Sequence, residues 1–596
     1  MGKALSYDLS TTPDVLRPIV GNMKWDNSGA APHVTFNIVQ LSNAAELERF
    51  NALIVDPNNA DQKPMDADLP ASFVTDIQYS IAIFQEFINL SIALTDDINA
   101  DYLMGQDNNA NSLGVTTNPS GAQSFWAVNI NAPNHLATPE LGGGGDRLET
   151  ILHEIGHSLN LNHPHGADSG STSTGLDQYQ QVAPYQWHQT IMSYTPPPNV
   201  VLGEDGPGSE FGRALTPMAL DIAALQQIYG ANMTTRAGNS TYTLTDAGTT
   251  AIDTSGDTIS VGRAYYGIWD TGGNDTIQYS GTSRALIQLS EATLTTAPGA
   301  DVNALVADVQ ASKGWSTLSA EAQNEIASGT GQAGGFFSSL LNEAGTRIQG
   351  GFSIAKGATI ENAIGGSGND ILIGNGAANR LIGNDGDDTL IGGGGKDVMI
   401  GGGGNDEFRG GTETDGAIIA VARASAQVTY NGSGNGSVTS AAGTDAFASV
   451  ERLIFTDEGV AYDTGAGEVA GVVFRTYQAA YNRAPDEPGL GFWINAADKG
   501  MSFAEVAAGF IRSSEFATAY GNDPTNQTYV SKLYENILGR AGEQAGISFW
   551  EGKLAEGATR ETVLYTFAEA SENLDRTAAA IANGVVYDLV ADNVFA

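Results

Sequence analysis

From Gly365 onward the chain repeats itself every nine residues, with starts at Gly365, Gly374, Gly383, Gly392 and Gly401. Glycines open each unit and permit a tight turn that residues bearing a Cβ resist. The sixth position carries a carboxylate (Asp370, Asp388, Asp397, Asp406) and the eighth an apolar residue (Leu372, Leu381, Leu390, Met399). A flexible glycine linker does not keep such a register. The pattern predicts a parallel β-roll in which Ca²⁺ lies between turns, with carboxylates and backbone carbonyls as hard oxygen ligands. The candidate ligand positions are Gly365, Gly366, Gly368 and Asp370; Gly383, Asp385 and Asp388; Gly392, Gly393, Gly395 and Asp397; and Gly401, Gly402, Gly404 and Asp406. Successive turns alternate sides, so ions are expected between repeats one and three, three and five, and two and four. Asn379 replaces the Asp of repeat two, which makes the last of these sites the weakest. Without calcium the carboxylates repel, and the apolar ladder is too thin to order so many glycines. Binding energy is then folding energy.

Composition supports this reading and excludes others. Among 596 residues, 68 are acidic and 27 basic, for a formal net charge of −41, which is the wrong sign for a nucleic-acid binder. Cys is absent, so neither a disulfide nor a thiol switch operates. No run approaches a membrane span, and Met1 to Pro18 lacks the apolar core of a signal peptide. Either the protein stays inside the cell or it leaves by a route that reads no N-terminal signal.

A second stretch carries the chemistry. In His153-Glu154-Ile155-Gly156-His157, the two histidines are four apart, which places them on one face of a helix. Glu154 lies beside His153 and can hold a metal-bound water without being a ligand. A third ligand at His163 requires the chain to turn sharply, and Asn160 stands where that turn is needed. Asn tolerates the left-handed conformation that closes helices. Three imidazoles with one open position describe a catalytic zinc site, because a structural one is closed by four protein ligands. Farther on, Ile191-Met192-Ser193-Tyr194 places a Met and then a Tyr where they can approach the same site.

The two stretches together resemble the metzincin zinc peptidases, and His-Glu-Ile-Gly-His followed by Met-Ser-Tyr resembles the serralysins among them. That resemblance implies His153, His157 and His163 as zinc ligands and Glu154 as general base. It also implies Tyr194 as a switchable ligand that can stabilise the oxyanion, and Met192 as the Met-turn. The family usually has Gly where this chain has Asn160. Trp25 resembles the entry into the serralysin catalytic domain, and Tyr229 to Arg236 its exit. Asp270 to Asp275 resembles a calcium-binding turn that opens the serralysin β-domain. The roll resembles the repeat-in-toxin (RTX) proteins, and Asp592 to Ala596 resembles a C-terminal tail read by type I secretion exporters.

Elsewhere the pattern is coarser. Phe73 to Ile92 reads as a long helix. Leu113–Thr117 and Ser124–Asn131 read as strands, and the first is preferred as the edge that would pair with a peptide substrate. Residues 294–350 read as a polar helical insertion. From about 468 the chain is helical and repeats at a spacing of 57, with Tyr477, Arg483, Trp493 and Glu515 recurring as Tyr534, Arg540, Trp550 and Glu572.

The expected architecture is multidomain: an α+β metzincin catalytic domain, a parallel β-roll/β-sandwich calcium-binding domain and a C-terminal all-α module. Its expected boundaries are 1–20 for a short propeptide, 21–237 for the zinc metallopeptidase domain, 238–465 for the calcium-binding domain and 466–596 for the two-repeat helical domain. The expected function is a secreted zinc endopeptidase acting on protein or peptide substrates, with one catalytic Zn²⁺ and several structural Ca²⁺. The competing reading is a surface-layer-associated or adhesive calcium-binding protein with reduced or specialised protease activity.

Overall fold

The computed structural model describes residues 4–6, 12–13, 16, 19–20, 23–25, 34–40, 42–54, 65, 68–97, 99–106, 114–116, 124–128, 146–164, 189–193, 213–246, 258–295, 300–329, 337–346, 348, 350–593 and 595. The chain forms two compact units, Met1–Ala377 and Ala378–Ala596.

The first unit begins with a five-stranded sheet in the order Ile92–Leu94, Val34–Ile38, Tyr102–Gln106, Ser124–Val128, Gly114–Thr116. Its first four strands run parallel, and Gly114–Thr116 pairs antiparallel with Ser124–Val128 as the edge. The strand preferred from sequence is therefore the edge strand. Helices α1 (Ala44–Ile54), α2 (Ala71–Phe87), α3 (Asp146–Ser158) and α4 (Ala219–Tyr229) complete this part. One face of α2 buries Phe73, Ile77, Ile81, Phe84 and Phe87, the apolar stripe of an amphipathic helix. The helix is shorter than its periodicity suggests, because Ile88 leaves helical space and forms a β-bridge with Ala231. α3 packs on α2 and on the strand Gly114–Thr116, which is an edge of the sheet among the described residues.

Beyond α4 the chain becomes β-rich. Thr241–Leu244, Thr258–Val261, Thr276–Tyr279 and Asn362–Ile364 form one parallel group. Tyr265–Ile268, Arg284–Gln288, Gly351–Ile354 and Ile371–Ile373 belong to a second group. The insertion supplies α5 (Ala300–Ala311) and α6 (Ala320–Gly329), as its helical pattern suggests. Its last part departs from the expectation: Phe337–Leu341 is a strand, pairing antiparallel with both Arg284–Gln288 and Gly351–Ile354. Ser338 and Leu340 are buried there, so the insertion is stitched into the sheet rather than appended to it.

The second unit opens with the roll. Arg380 pairs with Val398, Thr389 with Glu407 and Val398 with Gly416, each in parallel and each two repeats along the chain. A full coil is therefore two nonapeptides, and repeats two and four and repeats three and five are neighbours on their respective sides. The eighth-position side chains Leu381, Leu390 and Met399 are fully buried. A sixth turn at Gly410–Ile418, which lacks the third glycine of the motif, continues the series. Close backbone approach explains the glycines. At Gly402 (φ +113°) a Cβ would sit 1.8 Å from the Asn384 carbonyl oxygen.

Eight helices follow: α7 (Val469–Tyr481), α8 (Glu487–Asp498), α9 (Phe503–Ile511), α10 (Ser514–Tyr520), α11 (Asn526–Leu538), α12 (Gln544–Ala555), α13 (Arg560–Ala568) and α14 (Ser571–Ile581). The four helices α11 to α14 begin at the same spacing from one another as α7 to α10, so the duplication read from the aromatics is a duplication of helices. They share a core that includes Val473, Tyr477, Leu490, Phe510, Tyr529, Leu533, Leu564 and Phe567. Arg452, fully buried, joins this module to the preceding strands by pairing with Asp463 and with Asp498 of α8 at 3.1 Å. Such a group is held by its partners, since an unpaired buried charge is costly.

Replacing Gly402 by Ala is expected to lower the thermal unfolding midpoint of the calcium-loaded roll by several degrees (a strain penalty of about 1–3 kcal/mol). Far-UV circular dichroism on the full chain measures this, with the Gly403→Ala variant, whose nearest contact is a side-chain oxygen at 3.3 Å, as the milder comparison.

Candidate metal centre

The centre is built around the end of α3. An α-helix leaves its last carbonyls without intrahelical donors, and here each finds a partner. Leu161 N–H donates to the Gly156 carbonyl and Asn160 N–H to that of His157, both at 2.9 Å, with Asn160 at φ 75°. This is a Schellman closure with Asn in the left-handed position. The Ser158 carbonyl accepts from Trp25 Nε1 at 2.9 Å and from the Tyr102 hydroxyl at 3.2 Å. The Leu159 carbonyl accepts from the Tyr229 hydroxyl at 3.1 Å. The reversed chain is then fixed by a β-bridge between Val20 and Leu161 and by Asn162 N–H donating to the Ile19 carbonyl at 2.6 Å. His163 is thereby returned toward the helix it has just left.

Three imidazoles converge. His163 Nε2 lies 2.9 Å from His153 Nε2 and 3.1 Å from His157 Nε2, and the three ligand atoms lie within 4.8 Å of one another. The opposite ring nitrogens are committed elsewhere: His153 Nδ1–H donates to the Ile191 carbonyl and His157 Nδ1–H to that of Leu161, both at 2.7 Å. Those bonds fix the tautomer, leaving both Nε2 lone pairs directed at the common point. Burial, with His157 and His163 nearby, holds the His153 imidazole well below its usual pKa and therefore neutral. The set fits a divalent cation that favours nitrogen. A tetrahedral zinc with bonds of about 2.0–2.1 Å separates its nitrogens by roughly 3.3 Å, a few tenths of an ångström beyond the observed spacing. Glu154 is buried next in sequence to His153. Tyr194 lies outside the described residues.

Met192 is fully buried, and a Cβ at position 156 would meet its sulfur at 3.0 Å. Gly156 is thus the residue that lets the turn at Ile191–Ser193 close on α3. The turn itself is gripped by Asp221 of α4, a residue that no sequence motif marks. Asp221 Oδ1 accepts from Thr190 Oγ1 at 2.6 Å, and Oδ2 accepts from Ile191 N–H at 2.8 Å and Met218 N–H at 2.9 Å. Ile191 therefore receives His153 at its carbonyl and Asp221 at its amide. Burial pushes the Asp221 carboxyl up to about 7 against these three donors.

The calcium candidates fall into two groups. In the first unit, Asp270 accepts from Tyr242 OH at 2.8 Å, and Asp275 Oδ1 accepts from Ser240 N–H at 2.7 Å. Asp275 Oδ2 is buried without a hydrogen-bond partner. Glu361, not singled out from sequence, takes the Asp275 N–H at 2.8 Å. Burial, then the Asp270 and Glu361 charges, raise Asp275 to about 7. Asp370 is buried, with Oδ1 taking Ala285 N–H and Oδ2 taking Gly366 N–H, both at 2.6 Å. Gly366 and Gly368 pack tightly on the Gly281 and Ser283 carbonyls.

In the second unit the sixth-position carboxylates form a ladder. Asn379 N–H donates to Asp397, Asp388 N–H to Asp406 and Asp397 N–H to Asp415, at 2.8 to 3.0 Å and 18 residues apart. Beyond the repeats the ladder continues into Asp445, which accepts from Asp406, and Glu451, which accepts from Asp415. Asp397 and Asp415 are fully buried, and each keeps an Oδ2 without a hydrogen-bond partner. Burial chiefly, with neighbouring carboxylates, raises them to about 9 and about 8. Gly383, Gly392 and Gly401 each leave room for the Asp five residues on, and Gly404 packs on the Gly386 carbonyl. Gly393 and Gly395 have φ of 103° and 92°. Asp385 is exposed. A stack of buried carboxylates needs countercharge.

Comparison with known proteins places parts of the chain in known families. Residues 231–317 match the family described as Peptidase M10 serralysin C terminal. Four copies of the RTX calcium-binding nonapeptide repeat cover stretches between 357 and 416. Residues 472–519 and 507–577 match DUF4214, a domain of unknown function. The chain therefore carries a serralysin-type C-terminal domain joined to RTX calcium-binding repeats. Among individual proteins it is 34% identical to metallopeptidase AprA of Pseudomonas marginalis over 46% of this chain and 47% of the relative. It is 37% identical to serralysin C of Dickeya chrysanthemi, over 43% and 41%. With serralysin of Photorhabdus laumondii the identity is 35% over 38% and 36%. The chain thus spans less than half the length of the curated relatives it matches. No helix among the described residues is long and apolar enough to cross a membrane.

Asp221 yields a pH prediction. Its folded pKa is raised, so its protonated form is favoured in the fold, and its contribution to stability declines as pH rises from about 4 toward 7. An Asn there can accept both amides through its oxygen and donate to Thr190. Asp221→Asn is therefore expected to gain stability relative to wild type as pH rises through that window, whereas Asp221→Ala loses the grip on the turn at every pH. Urea unfolding of both variants between pH 4 and pH 8 measures the effect, and a flat difference between Asn and Asp would contradict it.

Proposed function

We propose that the chain is a secreted, calcium-stabilised zinc endopeptidase that hydrolyses proteins or peptides. The reading assigns His153, His157 and His163 as zinc ligands, Glu154 as general base, Tyr194 as an additional ligand and oxyanion donor, and Met192 as the Met-turn. It assigns residues 21–237 to the catalytic domain, 238–465 to the calcium-binding domain and 466–596 to the helical module. The observation that carries it is the convergence of three Nε2 atoms, two of them on rings whose partner nitrogens are already bonded to backbone carbonyls. Serralysin and metallopeptidase relatives support it.

In this mechanism bound zinc would polarise the scissile carbonyl and lower the pKa of a water. The strand Gly114–Thr116, a sheet edge among the described residues, would receive an extended substrate by strand addition, which aligns a peptide beside α3. Glu154 accepts the proton of the attacking water and passes it to the leaving amine, general acid–base work that contributes about 10²–10⁴-fold. The Tyr194 hydroxyl donates to the developing oxyanion. Asp270, Asp275 and the buried carboxylates of the roll would hold calcium, whose charge would offset their repulsion in the folded state. That coupling suits a chain exported unfolded by a type I secretion exporter and ordered outside the cell. The helical module is then an attachment to a cell-surface layer.

The Glu154→Ala variant is expected to retain one zinc per chain and lose casein hydrolysis by at least about a hundredfold. Metal analysis and casein assay on one preparation check this. Casein turnover near the wild-type rate would defeat the assignment, and so would wild-type activity that survives a zinc chelator in calcium buffer.

A further inference from the structure

The duplicated helical module contains an asymmetry. The Gly-x-x-Phe-Trp element occurs in both halves, and in both the Phe is exposed: Phe492 and Phe549 are each 55% accessible. The Trp that follows packs edge-on against it, with centroids 4.9 Å apart at 83° for Phe492–Trp493 and 5.2 Å at 82° for Phe549–Trp550. Trp493 in turn stacks on the core residue Phe510 at 5.2 Å. The exposed ring is thus mounted on a rigid base, and folding alone does not require an exposed phenyl at two related positions.

In the first half the ring stands in a cleft. A cavity of about 510 Å³ is lined by Phe492, Asn495, Lys499, Met501, Glu505 and Asp592, among others. Its polar groups are already oriented. Lys499 pairs with Asp592, and Asn495 Nδ2 donates to the same carboxylate at 3.3 Å. Glu505 Oε2 is held by the Ser502 hydroxyl at 2.7 Å and by the Ser502 N–H at 2.9 Å in a capping box. In the second half the positions equivalent to Asn495 and Glu505 are Gly552 and Thr562, and the Lys553 ammonium lies 5.7 Å from the centre of the Phe549 ring.

We propose that the cleft beside Phe492 binds a neutral, hydroxyl-rich saccharide. The C–H face of a sugar ring packs on an exposed phenyl. Its hydroxyls both donate and accept, matching an amide, an ammonium and two carboxylates that already hydrogen-bond beside the ring. One cation facing two anions leaves no positive surplus for a polyanion, and the ammonium among the carboxylates disfavours a polycation. An apolar helix or acyl chain would cover the Lys499–Asp592 pair without replacing its water. The inference concerns only the second unit and is independent of the zinc peptidase reading.

Titration of the calcium-loaded full chain with chitohexaose, laminarihexaose and soluble mannan, followed by Trp fluorescence, tests it. At least one sugar is expected to give a saturable change, weakened about tenfold or more (about 1.4 kcal/mol) by Phe492→Ala. Asp592→Ala, at a largely exposed side chain, is expected to weaken it several-fold, while Phe549→Ala leaves it unchanged. Casein hydrolysis stays at the wild-type level in all three variants. No saturable response to any of the sugars overturns the proposal, as does equal weakening by Phe549→Ala. Binding to phosphatidylcholine vesicles that is lost in Phe492→Ala, without a sugar response, overturns it in favour of an apolar partner.

Discussion

The hydrogen bond from Leu161 N–H to the Gly156 carbonyl is the constraint on which the site depends. It closes α3 within one residue of left-handed backbone, and only that reversal allows a histidine six residues past His157 to point back at it. A helix continued through Asn160 would carry His163 around the axis and away. The closure is reinforced from three distant places, since Trp25, Tyr102 and Tyr229 all donate to the carbonyls of Ser158 and Leu159. The core of the first unit and the geometry of the histidines are therefore one problem. Aromatic side chains that bury well also supply the donors that the helix end lacks.

A second layer orients what the turn delivers. Ile191 links His153 to Asp221 across one residue, so the tautomer of His153 is tied to the first turn of α4. The carboxylate ladder of the roll follows the opposite logic. There, each buried acid takes a backbone N–H from an earlier turn, yet Asp397 and Asp415 each keep an Oδ2 without a hydrogen-bond partner, a surplus of oxygen that suits cations. The first unit thus gathers three ring nitrogens at a point, and the roll sets carboxylate oxygens along a line.

What the sequence discloses follows from the range of each interaction. His153, Glu154, His157, Asn160 and His163 lie close together along the chain, and helix periodicity with one turn-forming Asn suffices to bring them together. The roll announces itself because its period is local, and the duplication of the helices is legible because the same aromatic and charged residues recur at one fixed spacing. Asp221 is not legible, since nothing in its helical surroundings distinguishes an Asp that grips a distant turn from one that merely caps a helix. Asp415 escapes notice although its signal is present: it stands two nonapeptides after Asp397 behind Gly410 and Gly411, but Thr412-Glu413-Thr414 lacks the third glycine. Asp445 and Glu451 extend the ladder at spacings of 39 and 36, where periodicity no longer points. The end of α2 is misplaced by sequence because apolar spacing continues through Ile88, which the bridge to Ala231 draws into extended backbone.

The most direct test of the account is the coordination shell of zinc itself. Zinc K-edge X-ray absorption on the chain loaded with one equivalent of Zn²⁺ is expected to show imidazole scattering from three histidines, with nitrogen at about 2.0–2.1 Å. That shell should fall to two imidazoles in His163→Ala. A spectrum dominated by six oxygens, or one that His163→Ala leaves unchanged, would contradict the convergence on which the rest is built.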